Sequence, residues 1–435
     1  MRRSVFRLTI FALLLMLTAC AGQSSASTAT PTPSPATTPT ATVPTGDYAF
    51  VRDGDLWAKT GAAPSHALTQ LHLNAVGARW GSLTWSPDHA TIAFVLYAPP
   101  FAPGFLATNP AQSTGSLFIV DVASERLTQI GTGTVFVPLQ GQHLAWTQTS
   151  DGKYVLLFTR SGLMEQYILG TQGPTILAGP QSVWEIAVRN HTLFYSTLAT
   201  PNAEGVGTAE LHTFDLVALT DHLVVKLGPA SLPIALCGSL VCLPDPSVPA
   251  VPYAWSVSGD GSLVAFETTL AQSSTVVTAT TVTPTPGKGT PTATPQPSPT
   301  PTSAPTNALS FYTAHSDGTK PQPIFTALPT LPQGVAVALA LSPNGQYAAL
   351  SLAQASGAIY GPLLQSLAAG GTVQNEVMSE ASVFGTPSWS PDNLGFALTA
   401  NPLGSNTPTP SIITFLVSGQ SANLEQNGTN LVWGP

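Results

Sequence analysis

Ser86, Asp88 and His89 bring the three side chains of a hydrolytic triad into one short run, Ser86-Pro87-Asp88-His89. Nucleophilic catalysis needs these groups in a relayed hydrogen-bond geometry, and its members ordinarily come from separate loops. The same positions return elsewhere with other residues, as Ser390-Pro391-Asp392-Asn393 and Ser342-Pro343-Asn344-Gly345. The recurrence marks a turn, and no catalytic residue is assigned. The sequence also has no Gly-x-Ser-x-Gly nucleophile elbow. Metal chemistry finds no better footing. The eight histidines are scattered without a His-x₃-His pair, and Asp53-Gly54-Asp55 and Gly259-Asp260-Gly261 fall short of a calcium loop's ligand number. No metal and no cofactor is expected.

The cysteines divide into two kinds. Cys20 closes a leader: Met1 to Arg7 is basic, and Leu8 to Leu17 is an apolar run too short to span a bilayer. Its end, Leu17-Thr18-Ala19-Cys20, resembles the lipobox of bacterial lipoproteins. That resemblance implies cleavage after residue 19 and a diacylglycerol on the Cys20 thiol, hence a membrane link through the N-terminal lipid and a place in the cell envelope. Cys237 and Cys242 flank Gly238-Ser239-Leu240-Val241. In an exported chain such a pair is expected to form a structural disulfide, and it lacks the Cys-x-x-Cys spacing of a redox centre.

The elements that must carry these residues are strands. The chain of 435 residues is 43% hydrophobic and 8% charged, about a third of the ~25% charge usual in soluble domains. Removing the leader takes away Arg2, Arg3 and Arg7, leaving ten basic residues against 21 acidic ones and a formal net charge of −11. A surface of that sign repels phosphate backbones, so no nucleic-acid partner is expected. Residues 20–46 read as a tether, because Gln23 to Gly46 is almost wholly Ser, Thr, Ala and Pro. Fully extended it reaches about 75 Å at roughly 3.1 Å per residue. Thr275 to Thr306, with eight prolines and one charge, is a second such tract, read as an insertion within the folded region 47–435. Either tract can serve as a plain spacer or as an acceptor of O-glycans.

Aligning the tryptophans shows a repeat. Trp85 precedes Ser86-Pro87-Asp88 and the apolar Thr91 to Val95, and Trp389 precedes Ser390-Pro391-Asp392 and Leu394 to Leu398. Trp146, Trp255 and Leu341 lead similarly to turns and apolar runs, Trp184 is a degenerate copy, and Trp433 begins another near the C-terminus. Proline presets φ for a type I turn, Asp or Asn bonds back to the backbone, and the next position takes φ > 0. Each hairpin is followed by a second apolar strand and a short outer one, a four-strand unit. The seven repeated positions are expected to be packed between sheets rather than to form a binding stripe.

The Trp-Ser-Pro-Asp motif with its apolar strand resembles the WD40-like repeats of TolB-like β-propellers, found also in prolyl-oligopeptidase relatives. The resemblance implies an all-β fold with a single β-propeller. Seven blades are expected, six if the copy at Trp184 is set aside. Tyr48-Ala49-Phe50-Val51 and Leu56-Trp57-Ala58-Lys59 supply the strands that the copy at Trp433 lacks, so a blade shared by both termini should close the ring. Two functions are carried forward. The first is a monomeric, membrane-tethered binding or scaffold module for an envelope protein or polymer. The second is a propeller enzyme, a lyase or hydrolase, with its site at the central channel mouth.

Overall fold

The computed structural model describes residues 44–73, 79–97, 114–135, 142–160, 162–199, 206–231, 253–270, 309–326, 328, 336–353, 359–368, 371, 373–375, 381–402 and 410–435. Cys20, Cys237, Cys242, most of the tether and the Thr275 to Thr306 tract lie outside these residues. Every regular element described is a β-strand, and the strands form seven antiparallel sheets of four, a seven-bladed propeller. In blades 2 to 7 the four strands run outward in chain order from the inner strand. Those inner strands are Arg79–Trp85, Leu144–Gln148, Val183–Arg189, Trp255–Val257, Ala336–Leu341 and Ala381–Trp389.

Blade 1 is built from both ends of the chain. Its inner strand is the last one, Gly428–Trp433, and Tyr48–Arg52, Asp55–Lys59 and His66–Ala67 lie outside it. Tyr48 pairs with Trp433 and Ala49 with Val432, and a register shift follows before Val51 meets Thr429. The ring therefore closes through main-chain bonds, and the inner edge of Tyr48–Arg52 is paired.

Sequence patterning explains the sheets. Thr91–Tyr97 is buried at all seven positions, because a blade's second strand has a neighbouring blade on each face. Such strands read as continuous apolar runs rather than alternating ones, and so the chain can be poor in charge. The core is accordingly divided into seven separate apolar clusters, one between each pair of consecutive blades. Phe50, Phe94, Phe194, Phe266 and Phe396 are the fully buried rings of the second strands. Phe94 stacks on Phe118 and Phe396 on Phe415, each at 5.5 Å between centroids.

The second and third strands of blade 5 are Leu263–Thr268 and Ser310–His315. The Thr/Pro-rich tract thus falls between two paired strands of one blade. The long connections at 98–113, 200–205 and 403–409 occupy the same place in blades 2, 4 and 7.

Blades 7 and 1 are also clamped at their rims. Glu425 accepts a hydrogen bond from Tyr48 Oη at 2.8 Å and pairs with the Arg52 guanidinium. Arg52 Nε donates to Gln426 O at 3.1 Å, and its Cζ lies 4.8 Å from the Phe50 ring centroid and 4.7 Å from that of Trp57. Arg52→Ala is expected to lower unfolding stability by about 2 kcal/mol, from a charged hydrogen bond and stacked cation. Arg52→Lys should recover less than half, since an ammonium cannot bond and stack in one plane. Urea unfolding of the three proteins measures both.

Candidate functional site

The hairpin that carries Ser86, Asp88 and His89 is structural. Ser86 Oγ donates to Asp88 Oδ1 at 2.5 Å, Thr91 N donates to Ser86 Oγ at 2.9 Å, and His89 sits at φ 59°. The same network recurs at Ser258–Asp260, Ser342–Asn344 and Ser390–Asp392, at 2.6, 2.8 and 2.6 Å, and with Thr149–Asp151. His89 does not complete a relay; its Nδ1 lies 2.8 Å from Asp47 Oδ2. Asp55 is also committed, taking Thr69 Oγ1 at 3.1 Å and His72 N at 3.2 Å. Among the described residues no His, Cys, Asp or Glu cluster has metal-binding geometry.

The repeated Trp85, Trp146, Trp184, Trp255, Leu341, Trp389 and Trp433 are all buried, each at 8% exposure or less. Six of the seven pack against the preceding blade. Trp184 points the other way, into the cluster shared with blade 5, while Val183, Ile186 and Val188 face blade 3. A β-bulge between Val183 and Ile186 puts Trp184 on the opposite sheet face from its counterparts in the other blades. Trp146 and Trp255 stand two residues further from their turns than Trp85 does. Two residues preserve the face, so their packing is unchanged.

The inner strands surround a central channel of about 1250 Å³. Its hairpin end carries Pro87, Pro343, Pro391, Asn190, His191 and Arg189; its opposite end carries Trp80, Ser82, Gln142, His143 and Glu185. Much of the wall between is apolar, with Leu339, Leu341, Pro387, Leu431 and Val432. The serine hydroxyls are used between blades. Ser82 Oγ accepts His143 N at 3.1 Å, Ser256 Oγ accepts Leu341 N at 3.0 Å, and Ser388 Oγ accepts Trp433 N at 3.4 Å. Arg189 likewise spends its guanidinium on carbonyls, Nε on Ser258 O at 3.0 Å and Nη1 on Val188 O at 2.8 Å.

The polar groups concentrate where blades 2, 3 and 4 meet. Gln142 Nε2 donates to Leu83 O at 2.9 Å, Ile186 N donates to Gln142 O at 2.8 Å, and Gln142 N approaches Glu185 Oε1 at 3.4 Å. His143 Nδ1 lies 2.6 Å from Trp184 O. Burial pushes the Glu185 carboxyl up to about 8, against a lowering by the Gln142 N–H. A second carboxyl, Glu267, is buried away from the channel at 7% exposure and accepts Ala254 N at 2.9 Å. Burial raises it to about 7. Sequence reasoning missed Gln142, His143, Glu185 and Arg189. The one available signal was a lone carboxylate inside the otherwise apolar run Val183-Trp184-Glu185-Ile186-Ala187-Val188.

No protein-family model and no curated protein matches this sequence. Solved structures do. The chain is similar to TolB from Acinetobacter baumannii at 13% identity and a TM-score of 0.41, over 90% of this chain and 67% of that one. An oligogalacturonate lyase in complex with manganese aligns at 10% identity and a TM-score of 0.43, over 88% and 86% of the two chains. A prolyl endopeptidase aligns at 11% identity and a TM-score of 0.51, over 91% of this chain and 50% of that one. The chain therefore spans half the length of that endopeptidase. At these identities the likeness is one of fold.

Proposed function

We propose that this chain is a lipid-anchored extracytoplasmic propeller that binds an envelope protein or polymer at its central channel. The channel wall carries the reading. It is a wide, mainly apolar surface whose serines and arginine already hold blades together, and it offers one carboxylate among the described lining residues. Paired-carboxylate hydrolysis needs two such groups facing one bond. The leader, the lipobox ending at Cys20 and the tether of residues 20–46 supply the location. A second reading has one observation in its favour: a carboxyl poised near 8 suits a general acid, so Glu185 could serve a lyase or hydrolase at the channel mouth.

Two measurements test the proposal. Cys20→Ala is expected to abolish palmitate labelling and move the protein from the membrane to the soluble fraction. Photo-crosslinking residues at the exposed Asn190 and Asn430, at opposite ends of the channel, should capture a discrete envelope component in intact cells. Unlabelled wild type, or no adduct from either position, overturns the corresponding half.

A further inference from the structure

Glu185 is an acid that, among the described side chains, meets no cation. Its Oε1 has only the long contact from Gln142 N, and Oε2 bonds to no other described residue. The blade 3 segment packed beside it brings Gln142 and His143, and His143 Nδ1 is turned to the Trp184 carbonyl. The blade 5 inner strand, Trp255–Val257, brings no ionisable group. On its own strand Arg189 lies four residues on, about 13 Å away at the rise of a β-strand, and donates to carbonyls. His191 lies beyond the following turn. Across the channel stand Leu339, Leu341, Leu431 and Val432.

We infer that Glu185 is the docking point for a lysine side chain of a protein partner, its aliphatic stem along the apolar wall and its ammonium on the carboxylate. The inference rests on the binding-module reading and deepens it by naming the chemistry of the partner. Long cationic side chains bury their stems on apolar surface while the charged head finds a polar group. The chain's net charge of −8 draws basic segments toward it. An amino-sugar polymer also carries ammonium groups, but its hydroxyls need many partners, and Ser82, Ser256 and Ser388 already serve the backbone of adjoining blades.

Docking has a proton balance. Burial holds Glu185 protonated at pH 7, and a neighbouring ammonium favours the charged carboxylate. The carboxylic acid and the lysine ammonium therefore become an ion pair, and the displaced proton leaves to the buffer. Calorimetry at pH 7, in two buffers of different ionisation enthalpy, counts that proton.

The probe is acetyl-Gly-Lys-Gly-amide, with the norleucine peptide as its neutral isostere and a glucosamine oligomer as the rival source of ammonium. The lysine peptide is expected to bind with net release of protons, because the raised carboxyl pKa falls when the ammonium arrives. The norleucine peptide should bind at least tenfold more weakly. Glu185→Gln keeps a neutral amide in place of a neutral acid and spares folding the uptake of a proton, so its melting temperature at pH 7 should equal or exceed that of wild type. It should lose at least tenfold in lysine-peptide affinity, together with the proton release. No lysine-peptide binding, equal binding of lysine and norleucine peptides, binding unchanged in Glu185→Gln, or preference for the glucosamine oligomer overturns the inference. Crosslinked adducts from Asn190 or Asn430 alongside any of these results would leave the channel as a binding site and remove lysine from Glu185.

Discussion

Truncation after Asn430 is expected to give a chain that aggregates or melts without a cooperative transition. The lost segment, Leu431 to Pro435, holds the inner strand of blade 1 against Tyr48 and Ala49. It carries Trp433, 6% exposed, whose ring meets Tyr48 edge-on at 5.3 Å between centroids. Gly434 N also donates to Asp47 O at 2.7 Å, and Trp433 N to Ser388 Oγ. Losing a buried tryptophan costs about 3–5 kcal/mol, against roughly 5–15 kcal/mol of total stability. Truncation adds the lost ladder bonds and exposes the inner edge of Tyr48–Arg52. Trp433→Ala should be intermediate. Trp433→Phe should be milder still, because Trp433 Nε1 has no hydrogen-bond partner to forfeit. Thermal melts rank the four proteins, and a wild-type melting temperature for the truncated chain would contradict the shared blade's part in stability.

Stability is expected to fall as pH rises from about 5 to 8. Glu267 and Glu185 both have folded pKa values above the ordinary 4.5, near 7 and 8. The folded chain therefore holds protons that the unfolded chain releases. Their contribution is complete below about pH 4.5 and lost as pH passes through the folded values, at about 1.4 kcal/mol per pH unit for each group. Glu267, enclosed in protein, accounts for about 3 kcal/mol over its shift. Glu185 opens onto channel water and contributes less. The turn aspartates act in the opposite direction but at lower pH. Asp260 is one of them, held below the usual carboxylate range by the Ser258 hydroxyl and by Ser262. Glu267→Gln should flatten the slope between pH 5 and 7 and make the protein more stable than wild type at pH 8. A variant with the wild-type slope would mean that Glu267 ionises as freely folded as unfolded.

What the sequence made legible is whatever repeats locally. The Ser-Pro-Asp turn is self-contained, and its hydrogen bonds run between residues two to five apart, so it reads alike in blades 2, 3, 5, 6 and 7. The closing blade was legible too, because Leu431-Val432-Trp433 lacks the strands that Tyr48 to Lys59 supply. Which neighbouring blade Trp184 packs against was not legible, since the bulge between Val183 and Ile186 that turns it to the other face leaves no mark in residue type. Of the channel constellation only the lone Glu185 within its apolar run left a trace in the sequence. Gln142 and Glu185 belong to different blades, and only the curvature of the ring brings them together.

The entry of the chain into blade 1 has a mechanical consequence. Thr45 N donates to Asp392 Oδ2 at 2.8 Å, Asp47 holds His89 and Gly61, and Tyr48–Arg52 then runs between two hydrogen-bonded neighbours. A pull applied along that strand loads both of its ladders at once. Antiparallel ladder bonds lie perpendicular to their strands, so the load meets both ladders in shear, and their bonds must yield together rather than open one at a time. The seam of the ring thus resists traction along Tyr48–Arg52 through two ladders together.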